Sequence, residues 1–403
     1  MGEDLASLGL PDGVARRAHA EEPVDGVPVA TTLAPETPEA LAATLRVLDE
    51  AGLAALPRGA GTQLGLGNPP RRADAFVSLE KLDDVEVLDR AEGVCHAAAG
   101  VPLEALRGLV AESGWELPLD DASRGGTLGG ALASVAVAPR AAGFGRPRDA
   151  VLGLEVALVD GSLTSCGGRV VKNVTGYDLA KLYLGSLGAL GVITSAWLRL
   201  RPRPEAREVL TGSPLADRQA CERAVAWSRG AALRSVFFRD TGSGLEPWVE
   251  LAGDTVSVSG ELERLGGEGL VRAEPADRDA AAARRFAASE DSARYAVSCL
   301  PARLGACVAA LRESGAALML LPGSNLVIAR PDAGCDADEG FAVAARAAEA
   351  GGGRFLCEAA PPAHKAGRDV FAAPASEVAL SRSLKAQFDP KGTLNPGRFA
   401  GGV

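Results

Sequence analysis

The chain has 403 residues, of which 47% are hydrophobic, and a formal charge of -10. That length exceeds a usual single core and predicts two domains, and that hydrophobic content excludes a disordered chain. The acidic balance excludes a general attraction to nucleic acid or anionic lipid, yet leaves room for a small anionic ligand in an arginine-lined pocket.

The seven cysteines (Cys95, Cys166, Cys221, Cys299, Cys307, Cys335, Cys357) are odd in number and scattered, and no pair has C-x-x-C spacing. They predict reduced thiols and no iron–sulfur or zinc centre in this chain. The N-terminus lacks a basic region followed by an apolar run, and no apolar segment reaches the roughly 20 residues needed to span a bilayer. A cytoplasmic location is therefore expected.

Residues 1–21 read as a polar leader and 29–35 as a strand. Thr37, Pro38 and Glu39 signal a helix start, and Leu41, Leu45 and Leu48 continue at helical spacing until Gly52. A strand at 53–56 runs into a first glycine loop, Pro57 to Gly67. Strands at 75–79, 84–88 and 94–98 follow, then a helix at 103–113 closed by Gly114. A second glycine loop, Gly125 to Gly130, carries Thr127 and leads into the small-residue run 131–138. The stretch Gly167 to Asp178 precedes a third, Gly185 to Thr194, which enters a strand at Val192-Ile193.

Arg201-Pro202-Arg203-Pro204 reads as a linker and a domain boundary, because closely spaced prolines do not continue a central strand. Beyond it the order βαββαβ occurs over 208–273 and again over 295–357, which predicts paired ferredoxin-like halves. A helix at 376–388 and a turn-rich tail, Asp389 to Arg398, close the chain. The expected domains are 22–204, a cap at 205–375, and 376–403 returning to the first, in an α+β fold.

Each glycine loop alone fits a tight turn as well as a phosphate cradle, since glycine lets backbone N–H groups approach an anion. None has the nicotinamide-type spacing. Three such loops beside strands of one domain point to a single cofactor.

The succession Pro57-Arg58-Gly59-Ala60-Gly61-Thr62, Thr127-Leu128-Gly129-Gly130, Gly143 to Asp149 with Gly153 to Gly161, and Gly185 to Ile193 resembles the FAD-binding domain of the vanillyl-alcohol-oxidase (PCMH) type. Within that superfamily, Val170 to Leu179 and the ending Phe388-Asp389-Pro390 with Asn395-Pro396-Gly397-Arg398 resemble the FAD-binding subunit of bacterial glycolate oxidase. The resemblance implies FAD between two α/β subdomains, with its pyrophosphate on Pro57, Arg58, Gly59, Ala60, Gly61, Thr62, Gln63 and Leu64, beside Thr127, Gly129 and Gly130. It implies further contacts at Ser134, Val135, Ala136 and Val137, at Gly188, Ala189, Leu190, Gly191, Val192 and Ile193, and at Asn395 near the ring. Several relatives tether FAD to a histidine near the first loop. Gly61 and Thr62 stand there in this chain, which implies a noncovalent flavin.

The catalytic sister subunit and the related D-lactate dehydrogenases carry a histidine-rich metal and substrate motif ahead of their Asn-Pro ending, where this chain has only His364. The resemblance thus implies one subunit of a 2-hydroxy acid (glycolate) dehydrogenase complex. Its partners would be a homologous catalytic flavoprotein subunit and an iron–sulfur subunit that takes the electrons, with a small 2-hydroxy acid as substrate and membrane contact only through partners. An independent FAD-dependent oxidoreductase of a sugar or hydroxy acid stays open, as does a structural or electron-relay flavin subunit. The catalytic candidates are Lys172 and Tyr177. Lys172 steadies an anionic substrate or reduced flavin, or is a solvated lysine. Tyr177 packs on the ring, or is buried at a sheet edge. Cys166 and His96 read as core residues.

Overall fold

The computed structural model describes residues 5, 7–120, 125–134, 137–169, 178–283, 293–332 and 334–403. They fall into two units, one of Met1–Ala136, Pro147–Pro202 and Lys365–Val403, the other of Val137–Arg146 and Arg203–His364.

The first unit opens with a hairpin of β1 (Val14–Val24) and β2 (Val27–Pro35). Asp25 and Gly26, at φ 49° and 87°, form the two-residue turn between the paired Val24 and Val27, as the twist of a hairpin demands. Residues 14–21 are therefore strand and not leader. Their polar side chains sit on the sheet's edge strand, so no apolar alternation marks them.

Helix Pro38–Glu50 forms as its sequence predicts: Thr37 Oγ1 accepts the Ala40 amide at 3.1 Å, Pro38 occupies the first turn, and Gly52 (φ 69°) follows the end. Its fully buried Leu41, Leu45 and Leu48 each contribute about 1.5–3 kcal/mol of apolar burial. β3 (Ala55–Arg58) and β4 (Ala75–Ser78) complete a sheet in the order β1-β2-β4-β3, with β4 parallel to both neighbours.

The second sheet is antiparallel. β5 (Val85–Asp89), β6 (Val94–Ala98), β8 (Val151–Ala157), β9 (Leu163–Gly167) and β10 (Val192–Arg199) lie in the order β5-β6-β10-β8-β9. A separate pair joins β7 (Trp115–Glu116) to β11 (Arg201–Pro202). The predicted linker thus begins as a two-residue strand, where proline does little harm at an edge. One apolar core, including Leu45, Val77, Leu106, Leu154 and Leu198, joins both sheets. The chain comes back to this unit at Lys365, earlier than the expected 376, and helix Ala375–Phe388 delivers the tail to the edge of β3. There Ala55 N donates to Thr393 O (2.7 Å) and Asn395 N to Ala55 O (2.9 Å).

In the second unit β12 (Ala206–Gly212), β13 (Leu233–Asp240), β14 (Leu245–Gly253), β15 (Leu270–Arg272), β16 (Arg294–Ser298), β17 (Ala317–Leu321), β18 (Leu326–Arg330) and β19 (Phe355–Ala359) make one sheet. Its order, β15-β12-β14-β13-β17-β18-β16-β19, is two βαββαβ halves in mirrored sequence, joined where Phe238 pairs with Leu320. Val137–Arg146 belongs to this unit because its side chains are anchored there. Arg140 binds Glu250 (2.9 Å) and Asp279 (3.0 Å), and the Arg234 guanidinium lies 4.6 Å from the centre of the Phe144 ring. Among the described residues no helix is long and apolar enough to cross a membrane.

Candidate functional site

The site is built on the loop that leaves β3. Gly61 turns it with φ 79°, and the bonds Leu64 N to Gly61 O and Leu66 N to Gln63 O fold it into two successive turns. Among the described residues, the amides of Gly59, Ala60, Gly61 and Gln63 meet no backbone acceptor. A run of such donors forms a concavity suited to phosphate oxygens. Arg58 adds positive charge at the rim, braced by Glu22 (2.6 Å) and stacked over Phe76 (4.7 Å).

The second glycine loop is a loop only as far as Thr127; Leu128, Gly129 and Gly130 begin a short helix, Leu128–Ser134. Thr127 Oγ1 accepts the Gly130 amide at 3.3 Å, and Leu128 N donates to Val101 O. The two segments touch. A Cβ on Gly59 would lie 2.2 Å from Thr127 Oγ1, so only glycine allows this approach.

The third segment is held between this helix and the C-terminal tail. Gly185 and Leu187 donate to the Leu132 and Ala133 carbonyls, and Asn395 Nδ2 donates to Leu187 O. Leu187 (φ 54°) and Asn395 (φ 44°) both sit in the left-handed region, which is costly for a leucine and is kept only where surroundings enforce it.

One cleft results, lined by Pro57 to Leu64, Thr127, Gly130, Ser134 and Asn395, together with Leu66, Ala133, Leu187 and Arg398, which sequence reasoning missed. Arg398 was signalled by its place directly after Asn395-Pro396-Gly397; nothing local marks Leu187. Gly188 adjoins the cleft, its would-be Cβ 3.4 Å from Pro57 and 3.5 Å from Asn395.

Other expected contacts lie elsewhere. Gly129 packs on Ala99, to whose carbonyl it donates at 2.7 Å, and Gly191 packs among Val156, Leu158 and Tyr183. Leu190, Val192 and Ile193 direct their side chains into the core, and Ala189 is fully buried with its carbonyl bound by Lys385 Nζ. Val137 belongs to the second unit. Val135, Ala136, Lys172 and Tyr177 lie outside the described residues, as does the 170–177 stretch beside which Asn395 was expected.

The fit to FAD has two physical marks in the cleft. The Gly59–Thr127 contact keeps side-chain bulk away from the amide-lined concavity, and buried Arg398 holds an Nη1 with no hydrogen-bond partner among the described residues. No histidine or cysteine is among the described residues lining the cleft.

His96 is a core residue, as expected: Nδ1 lies 2.8 Å from Glu86, Nε2 3.0 Å from Ser195 Oγ, and the ring stacks on Trp197 at 4.4 Å. All seven cysteines are free thiols. Burial pushes Cys95 up to about 11 and raises Cys166 as well, so these thiols are unreactive.

Residues 29–167 match the family model described as an FAD binding domain. Over 173 residues the chain is 38% identical to the mitochondrial D-2-hydroxyglutarate dehydrogenase of Bos taurus, covering 43% of this chain and 32% of that protein. It is 36% identical over 176 residues to the D-lactate dehydrogenase of Archaeoglobus fulgidus, covering 44% and 40%. Identity to the glycolate oxidase subunit GlcD of Bacillus subtilis is 30% over 179 residues, covering 44% and 38%. The matches thus span well under half the length of these relatives. Among solved structures, an alkyldihydroxyacetonephosphate synthase aligns with a TM-score of 0.70 at 14% identity over 97% of this chain and 83% of that one. A p-cresol methylhydroxylase aligns with a TM-score of 0.68 at 15% identity over 92% and 89%. The chain therefore has the PCMH-type flavoprotein fold, and the cofactor of its binding domain is FAD.

Proposed function

We propose that the chain is an FAD-dependent oxidoreductase of small 2-hydroxy acids, holding its flavin noncovalently. The observation that carries this reading is the convergence of the Gly59 to Gln63 amides, Thr127 and Asn395 on one cleft inside an FAD-binding domain. The three relatives named above are, by name, a 2-hydroxyglutarate dehydrogenase, a lactate dehydrogenase and a glycolate oxidase subunit, so they share a 2-hydroxy acid theme. Bound here, FAD would accept a hydride from the carbon that bears the substrate hydroxyl.

The chain's own residues do the holding. The loop amides and Arg58 take the pyrophosphate charge, Thr127 caps the Gly130 amide where it lies against Gly59, and Asn395 fixes Leu187 at the cleft wall. Gly61 and Thr62, neither offering an imidazole to the flavin, line the cleft where several relatives carry the tethering histidine, which supports the noncovalent reading.

Glycolate as the substrate and assembly with a homologous flavoprotein and an iron–sulfur subunit are the finer form of the proposal. The electron-relay reading rests on the sequence, in which His364 is the sole histidine near the C-terminal end; it bonds the Cys335 carbonyl (3.4 Å).

The test is anaerobic mixing of purified, flavin-loaded chain with glycolate, D-lactate and D-2-hydroxyglutarate, after acid precipitation has shown FAD in the supernatant. Bleaching of the visible flavin band by any of the three supports oxidation on this chain. An oxidised spectrum that bleaches only after the partner subunits are added supports the relay reading. Flavin that stays with the precipitate overturns the noncovalent assignment.

A further inference from the structure

We propose that Lys365 and Arg398, with Asp25 as their shared counter-ion, form a buried latch that holds the cofactor loop in its anion-accepting conformation. The inference rests on the reading that the loop after β3 takes the FAD pyrophosphate. All three residues lie in the first unit, although the sequence separates Asp25 from Lys365 and Arg398 by most of the chain.

Lys365 is 1% exposed and Arg398 3%. Lys365 Nζ binds Asp25 Oδ1 at 2.7 Å and also the Gly65 carbonyl. Arg398 Nη2 donates to the Leu64 and Leu66 carbonyls at 2.5 and 2.6 Å, while its Nη1 lies 3.8 Å from Asp25 Oδ2. Three successive carbonyls of the loop are thus turned onto two cations. A glycine-rich segment has little side-chain packing to fix its peptide planes, and a carbonyl turned into the cleft would repel a phosphate. The bonds from Leu64 N to Gly61 O and from Leu66 N to Gln63 O carry this constraint back to the half of the loop whose amides lack backbone acceptors.

Charge supports the same conclusion. Two buried cations face one carboxylate, and burying ions without full compensation is unfavourable. Arg398 also lines the cleft, and neither its Nη1 nor Asp25 Oδ2 has a hydrogen-bond partner among the described residues. The surplus positive charge therefore lies against the place where the reading puts a pyrophosphate. Asp25 is supplied by the hairpin turn, whose left-handed geometry an aspartate tolerates well.

The experiment compares FAD with riboflavin, which lacks phosphate, by fluorescence titration of the full-length apoprotein. The variants are Lys365→Met, which leaves one cation facing one carboxylate, and Arg398→Lys, each with a thermal melt. Arg398→Lys keeps the charge but cannot hold two carbonyls in a fork, and Lys365→Met leaves Arg398 and Asp25 with no surplus buried charge, so folding is protected in at least one variant. FAD affinity is expected to fall about tenfold or more, with riboflavin affinity within about twofold of wild type. Parallel loss of both ligands means a merely structural role and overturns the latch. So does wild-type FAD affinity in a folded variant. If the wild-type chain binds FAD no more tightly than riboflavin, the pyrophosphate reading of the loop itself fails, and the latch with it.

Discussion

Gly59→Ala is the sharpest probe of the cleft. The new Cβ would stand 2.2 Å from Thr127 Oγ1, 3.1 Å from Cγ2 and 3.2 Å from Cβ, where ordinary contacts begin at 3.4 Å. Rotating the threonine does not clear it, because Thr127 Cβ is itself too close. The buried hydroxyl also accepts the Gly130 amide. Either the segments separate by about 1 Å, or Thr127 rotates, gives up the Gly130 amide and the segments still shift by a few tenths of an ångström; overpacking of that kind costs about 1–3 kcal/mol. If the cost falls on the cofactor-competent arrangement, FAD affinity drops about 5- to 150-fold. Fluorescence titration of apoprotein measures it. Thr127→Ala removes the two closest atoms and loses only a weak cap, so the double variant should bind FAD better than Gly59→Ala alone. A double variant that loses the product of both single effects would refute the contact, and unchanged affinity in Gly59→Ala would remove the loop from the site.

Two other predictions concern groups away from the cleft. Burial alone would raise the pKa of Glu250, but Arg278, Arg140 and Arg207 outweigh it and bring the carboxyl from 4.5 to about 2. A carboxyl with a depressed folded pKa stabilises fully above its ordinary value, and that contribution, about 3 kcal/mol, is lost as pH falls from 4.5 through 2. Glu250→Gln should lower stability at pH 7 and flatten its acid dependence in urea denaturation; an unchanged pH slope would show that the arginines do not act through Glu250. His96→Leu removes the bonds to Glu86 and Ser195 and should cost about 1–3 kcal/mol of stability with normal flavin content. Flavin loss at unchanged stability would instead make His96 part of the site.

What could be read from the sequence was what local chemistry decides. Helix Pro38–Glu50 was legible because Thr37, Pro38 and the leucine spacing all act within a few residues. The two ferredoxin-like halves were legible because each repeats one order of elements, but their junction at β13 and β17 was not, since nothing local selects it. β1 was missed although Asp25-Gly26 is a strong hairpin signal, because its polar residues follow no apolar period. The first turn of helix Leu128–Ser134 reads as loop in the sequence because glycine and small residues carry weak helix preference. Tertiary anchors, Val101 O and Ala99 O, override it there.

The cleft also shows why its residues span nearly the whole chain. Glycine loops can present amides to an anion only if their carbonyls are accommodated elsewhere, and among the described residues no backbone amide outside the sheets and helices donates to those of residues 64–66. The C-terminal segment supplies the missing donors. Lys365 binds Gly65 O, Arg398 binds Leu64 O and Leu66 O, and Lys385 binds Ala189 O and Leu394 O while paired with Asp389. Each of these side chains is buried, and each meets a carbonyl of a segment that lines or adjoins the cleft, or of the tail that carries Asn395. The stretch 29–167 that matches the FAD-binding family model holds the glycine loop after β3 but none of these cations, nor Asp25, the carboxylate that two of them share. The glycine pattern therefore specifies where backbone can approach an anion, and residues some three hundred positions later specify which face of that backbone is offered.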